Sequence, residues 1–206
     1  MTLRPIIFDA DSVRAILAGN KTQFRVPVKP QPEEGWSVIP RADREGWFVL
    51  RTSAVTHFPV RPRNIGCPLG GPGAGLYVKE PWESWANTGR ANGEAVDMMR
   101  LWRSPIFMPR ACARVLLEIV AVRVERVQEI KCYEIRSEGI RCPEHDSPSG
   151  FCCSECDALR AAFSARWNRL YAKRGYPWAS NPWVFAIEFR PITPTAADAA
   201  GEPRHA

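Results

Sequence analysis

Apolar and polar positions alternate most clearly between Ala113 and Val127. Val115, Leu117 and Ile119 share one phase, whereas Val120, Val122 and Val124 fall on the other. A strand that changes phase must absorb an extra residue, so the flip predicts a bulge or bend in one long strand, as in a barrel. Trp183, Phe185, Ile187 and Phe189 alternate with Val184, Ala186, Glu188 and Arg190 and predict a closing strand. Shorter strands are expected over Leu3 to Phe8, Trp47 to Arg51 and Leu76 to Glu80. The last follows a Pro- and Gly-rich stretch, residues 59 to 75, read as a tight turn. Helical spacing appears three times. Val13, Ile16 and Leu17 follow a cap at Asp9 or Asp11 and end before Gly19. Val127 to Glu138 carries Ile130, Tyr133 and Ile135 as buried candidates. Asp157 to Tyr171 sets Leu159, Phe163, Trp167 and Leu170 on one face with arginines opposite. Residues 27 to 46 and 84 to 100 hold neither period and read as surface loops, and the chain from Pro191 reads as a disordered tail. The expectation is an α+β fold: a small mixed β-barrel decorated by about three helices, with long loop insertions.

Composition sets bounds on this picture. The 206 residues are 45% hydrophobic and 24% charged, enough for one packed domain without disulfide staples. That domain is placed at residues 1–190, with an insert at 141–157 and a tail at 191–206. No apolar run is long enough to span a bilayer, and Met1 to Asp9 lacks the apolar stretch of a secretory signal, so a soluble cytoplasmic protein without membrane contact is expected. The net charge of +6 suits a polyanionic partner such as nucleic acid. Eight tryptophans are many for one small core, so some are expected to line a groove in which a ring can stack on a base.

Seven cysteines in a chain of this size do not describe a disulfide scaffold. Cys142-Pro-Glu-His145 is followed after seven residues by Cys153-Ser-Glu-Cys156, with Cys152 adjacent to Cys153. Two short ligand pairs across a Pro/Gly loop are the pattern of a closed tetrahedral zinc site, so Cys142, His145, Cys153 and Cys156 are expected to hold one structural zinc ion. Cys67, Cys112 and Cys132 are expected to pack as small apolar groups.

Ile16-Leu-Ala-Gly-Asn-Lys-Thr22 resembles the opening signature of ASCH domains, relatives of the PUA RNA-binding fold. The ordered set Arg4-Pro-Ile-Ile-Phe8, Gly19-Asn-Lys-Thr-Gln23, Cys67-Pro-Leu-Gly70, Leu76-Tyr-Val-Lys-Glu-Pro-Trp82, Phe107-Met-Pro-Arg110, Val122 to Ile140 and Asn181-Pro-Trp-Val184 to Phe189 resembles a group of phage and prophage ASCH-like proteins. The resemblance implies a PUA-like barrel with a cleft beside the Lys-Thr segment, a nucleic-acid or modified-nucleoside ligand, and a bacterial host cytoplasm. One branch of the family hydrolyses the amide of acetylated cytidine, and its lysine and glutamate map onto Lys21 and Glu138. Its threonine nucleophile maps onto Phe24, which cannot attack a carbonyl, and Thr22 is the nearest hydroxyl. Family members usually have Gly-Asp in the glycine turn, where this chain has Gly73-Ala74. Binding without appreciable hydrolysis is therefore the leading expectation. An enzyme on a modified nucleoside or RNA, or a phage assembly protein, are the alternatives.

A binding cleft needs cations for phosphate and ring faces for bases. Lys21, Arg25, Lys79, Arg110 and Arg114 are the expected cations, and Phe24 and Trp82 the expected rings. Glu80 can accept from a base amino group or pair with Arg110.

Overall fold

A computed structural model of the protein describes residues 3–33, 36–40, 46–52, 59–87, 98–141 and 157–192. Its centre is a five-stranded sheet of order β1-β6-β9-β10-β2. These strands are β1 (Leu3–Ile7), β2 (Gln23–Pro27), β6 (Gly75–Lys79), β9 (Leu116–Arg126) and β10 (Trp183–Ile192). β1 runs parallel to β6, while the β6–β9, β9–β10 and β10–β2 pairs are antiparallel. Two smaller sheets lie beside it: β3 (Ser37–Pro40), β4 (Trp47–Thr52) and β5 (Pro59–Ile65) form one, and β7 (Trp82–Asn87) and β8 (Met98–Arg103) the other. Three α-helices complete the α+β fold: α1 (Ala10–Leu17), α2 (Cys132–Ser137) and α3 (Asp157–Tyr171).

The expected barrel is not closed, because β1 and β2 are the two edges of the central sheet among the described residues. The expected bulge is present. Opposite β10, Ala121 pairs with Glu188 and Ile119 with Phe189, so Val120 is the extra residue and stands 49% exposed. β10 is buried on both faces. Phe185, Ile187 and Phe189 join one apolar cluster with Phe8, Val13, Ile16, Leu76, Val78, Leu117 and Ile119. Val184 joins a second cluster with Ile130, Ile135, Leu159, Phe163 and Trp167, so α2 and α3 pack on the other face.

Asp9 caps α1 by accepting from the Ser12 amide at 2.9 Å, and Gly19 ends it at φ +73°. Leu17, Tyr133 and Leu170, expected inside, are exposed; each lies at the margin of its helix's apolar stripe. Three stretches read as loop hold strands instead: β3 within 27–46, β5 within 59–75, and the β7–β8 hairpin across 84–100. Their pairing is local and antiparallel, and needs no apolar period on both faces. Pro191 and Ile192, expected in the tail, belong to β10 and pair with Leu117 and Leu116, while the rest of the expected tail lies outside the described residues.

Candidate functional site

The chain leaves α1 through hydrogen bonds from the Asn20 and Lys21 amides to the Ala15 carbonyl, at 2.8 and 3.1 Å. Lys21 then forms an isolated antiparallel bridge with Glu138, and the Thr22 amide donates to the Ser137 carbonyl at 2.8 Å. These contacts tie the start of β2 to the end of α2. Gly139 makes the approach possible. It sits at φ +80°, where an added Cβ would lie 2.9 Å from the Ala15 Cβ and 3.2 Å from the Lys21 Cβ. Gly139→Ala is expected to cost about 2 kcal/mol in denaturant titration, combining left-handed strain with overpacking. A change within 0.5 kcal/mol would show that this approach is not tight.

Lys21 and Glu138, brought together by the resemblance, are also together in space. The Lys21 ammonium donates to the Glu138 carbonyl at 2.9 Å and lies 3.6 Å from its carboxylate. It sits over the Phe8 ring, 5.6 Å from the centroid. Only 2% of Lys21 is exposed. Burial brings its pKa down from 10.5 to about 8, and the Arg166 charge adds to the effect, while Glu138 and Asp9 oppose it.

Arg25 is the centre of the same buried group. Its Nε donates to Glu125 at 2.9 Å and its Nη1 to Glu138 at 2.9 Å. Its Nη2 lies 2.7 Å from Glu125 and 3.1 Å from Glu134, close enough for ion pairing but not directed along a hydrogen bond. Glu134 also caps α2, accepting from the Lys131 amide at 3.0 Å, and meets Arg123. Burial alone would depress the Arg25 pKa, but Glu138 and Glu125 outweigh it and raise it. The Tyr171 hydroxyl donates to the Arg25 carbonyl at 3.2 Å, and its pKa is pushed up to about 12 by burial and by the Glu138 charge.

Two expected ligand contacts are thereby corrected. Arg25 is not available to a phosphate, because three carboxylates surround it inside the fold. Phe24 is not a stacking face. It is 4% exposed and packs edge-on against Phe8 at 5.3 Å and against Phe189 at 5.6 Å. Alternation along β2 explains both: Phe24 faces one apolar cluster, and Arg25 faces the carboxylates on the other side. The same alternation separates Lys21, buried, from Thr22, exposed.

Thr22 opens instead on a surface pocket of about 350 Å³ lined by Gly19, Asn20, Thr22, Arg136, Ser137, Ile140 and Arg141. Among the described residues the lining offers hydroxyls, an amide and two guanidinium groups, and no carboxylate. A second pocket, about 400 Å³, is lined by Arg4, Trp47, Cys67, Gly70 and neighbours, and none of the expected site residues lines it.

The remaining expected residues form a separate group after β6. Glu80 pairs with Arg114, not Arg110, accepting from Nε at 2.7 Å and Nη2 at 2.8 Å. The Lys79 ammonium donates to the Ile106 carbonyl. Trp82 is half-buried, and its indole N–H is buried without a partner among the described residues. Arg110 is exposed on a 3₁₀ turn, Arg110–Cys112. The expected cation cluster is therefore two places, one inside the fold and one on its surface.

Sequence reasoning missed Glu125 and Glu134, the partners of Arg25, and the pocket residues Arg136 and Arg141. Arg123 and Glu125, which alternate with Val122 and Val124 in the second half of β9, were the available signal, since charges on a half-buried strand face rarely go unpaired. Cys112 is exposed, contrary to the apolar packing expected; Cys132 is buried and Cys67 half-buried. Cys142, His145, Cys153 and Cys156 lie outside the described residues. Among the described residues, no group of three or more His, Cys, Asp or Glu is placed to hold a metal, and no helix is long and apolar enough to cross a membrane. No family model, no curated protein and no solved structure matches the chain.

Proposed function

We propose that this is a nucleic-acid or modified-nucleoside binding protein of the ASCH-like, PUA-like kind, with its ligand at the pocket between Gly19–Thr22 and Arg136–Arg141. The observation that carries the reading is the composition of that pocket. Asn20, Thr22 and Ser137 provide hydrogen-bonding groups, the exposed Arg141 provides positive charge, and no carboxylate lines the pocket among the described residues. A volume of about 350 Å³ suits a nucleoside or a short stretch of backbone. The buried Lys21–Arg25 group takes a supporting role, since it fixes the two segments that form the walls.

Fluorescence anisotropy with a labelled single-stranded oligonucleotide and its duplex tests this. Single strand is expected to bind more tightly than duplex, because it exposes base edges and faces. Arg141→Ala should weaken binding and flatten the salt slope by about one unit, as loss of one phosphate contact does. Unchanged affinity in Arg141→Ala combined with Thr22→Val would move the ligand away from this pocket.

The Cys142, His145, Cys153 and Cys156 set is part of the proposal as a structural zinc site, on the strength of its spacing. Metal analysis of protein never exposed to chelator should find close to one zinc per chain. Finding none would remove the metal from the account.

A further inference from the structure

The protein holds an apolar tip out into solvent. Ile106 is 63% exposed and Phe107 73% exposed, on the 3₁₀ turn Pro105–Phe107. The next residue, Met108, is 3% exposed. One buried anchor thus fixes two neighbouring apolar side chains that stay outside.

Hydrogen bonds brace the turn. The Phe107 and Met108 amides donate to the Ser104 and Pro105 carbonyls, both at 3.1 Å. The following turn, Arg110–Cys112, closes with Cys112 to Pro109 at 3.1 Å and Ala113 to Arg110 at 3.0 Å. Pro105 and Pro109 fix φ at the start of each turn. The Lys79 ammonium holds the Ile106 carbonyl, and the Glu80 amide donates to the Met108 sulfur at 3.3 Å. A pre-formed turn loses little conformational freedom when a ligand settles on it.

Its surroundings are cationic. Leu101 to Leu117 contains Arg103, Arg110 and Arg114 and no acidic residue. All three arginines are exposed. Glu80 engages Nε and Nη2 of Arg114, which leaves the Nη1 edge of that guanidinium for another acceptor.

We infer that this turn is a stacking platform for single-stranded nucleic acid, with the Phe107 ring against a base and the Arg110 guanidinium on the adjoining phosphate. The inference rests on the nucleic-acid reading above and adds a second contact surface to it. One ring flanked by cations within a few residues matches an exposed base and its phosphate. An anionic membrane fits less well, since only Ile106 and Phe107 could enter it and no amphipathic helix carries them. Phe107 also supplies the ring that Phe24, inside the core, cannot.

The test compares wild type, Phe107→Ala, Phe107→Leu, Phe107→Trp, Arg110→Ala and Arg141→Ala. Each is titrated with a labelled oligothymidylate across a salt series, and with phosphatidylserine-containing vesicles. Phe107 and Arg110 are exposed, so these variants should keep wild-type thermal unfolding. Phe107→Ala and Phe107→Leu are expected to weaken oligonucleotide binding about tenfold with little change in salt slope, and Phe107→Trp to restore it. Arg110→Ala should lower the slope by about one unit. Oligonucleotide binding that survives Phe107→Ala but falls in Arg141→Ala would overturn the platform and leave the pocket reading intact. Vesicle binding lost in Phe107→Ala, with oligonucleotide binding unchanged, would assign the tip to membranes. A wild type that binds no oligonucleotide at low salt would overturn both readings together.

Discussion

Replacing Arg25 by alanine is expected to destabilise the protein by about 3–5 kcal/mol, the range for breaking a buried ion pair from one side. Its guanidinium touches Glu125, Glu134 and Glu138, none more than 16% exposed at the side chain. Those carboxylates come from β9, α2 and the bridge residue after α2, so the arginine joins the central sheet to the helical face. Without it, three acidic groups are left close together, with Lys21 at Glu138 and Arg123 at Glu125 and Glu134 as the cationic partners among the described residues. Urea unfolding measures the loss directly. Arg25→Met, which keeps the stem packing, should recover little, because the cost comes from the unpaired carboxylates. A loss below about 1 kcal/mol, the value of an exposed pair, would mean that water already screens the cluster.

Lys21 should make stability depend on pH in the alkaline range. Its ordinary pKa is 10.5, and burial lowers it to about 8 in the folded chain. Between those values the unfolded chain binds the proton and the folded chain does not. Unfolding therefore takes up a proton, and stability rises with pH from about 8 to 10.5. Below pH 8 the folded protein carries a buried ammonium at a disadvantage; above 10.5 both states are neutral. The linkage amounts to about 3 kcal/mol across the window. Lys21→Met should remove it, so the wild-type minus variant stability difference should climb over this range. Parallel pH curves for the two proteins would show that Lys21 titrates normally. Tyr171 acts later and with opposite sign. Its folded pKa of about 12 exceeds the ordinary 10, so stability falls from pH 10 to 12, and Tyr171→Phe separates the two effects.

Strong periodicity made some of this legible in the sequence. The β9 phase flip pointed to the bulge that lies at Val120, because side chains alternate between faces along a strand and only an extra residue shifts that phase. Asp157–Tyr171 was read with its bounds because three of its four stripe residues, Leu159, Phe163 and Trp167, are buried. β3, β5 and the β7–β8 hairpin were not legible, since their pairing partners are near in sequence and their side-chain patterns carry Pro and charge. At the site, the pairing of Lys21 with Glu138 was legible only through the family resemblance, as 117 residues separate them. The fate of Phe24 and Arg25 was not legible. A basic, aromatic segment reads as a ligand surface until the partners are known, and Glu125 and Glu134 lie a hundred residues away in sequence. Phe107 was legible only as part of the Phe107-Met-Pro-Arg110 piece, because nothing in its sequence neighbourhood tells an exposed ring from a buried one.

The salt dependence of single-strand binding tests the central claim most directly. A labelled oligonucleotide titrated against the wild-type chain from about 50 to 200 mM salt should give a log affinity that falls linearly with log salt concentration. The slope should be near two, reflecting phosphate contacts at Arg141 and Arg110, and should drop toward one in either single variant. An affinity independent of salt, or no binding at the lowest salt, would contradict a nucleic-acid function for this surface.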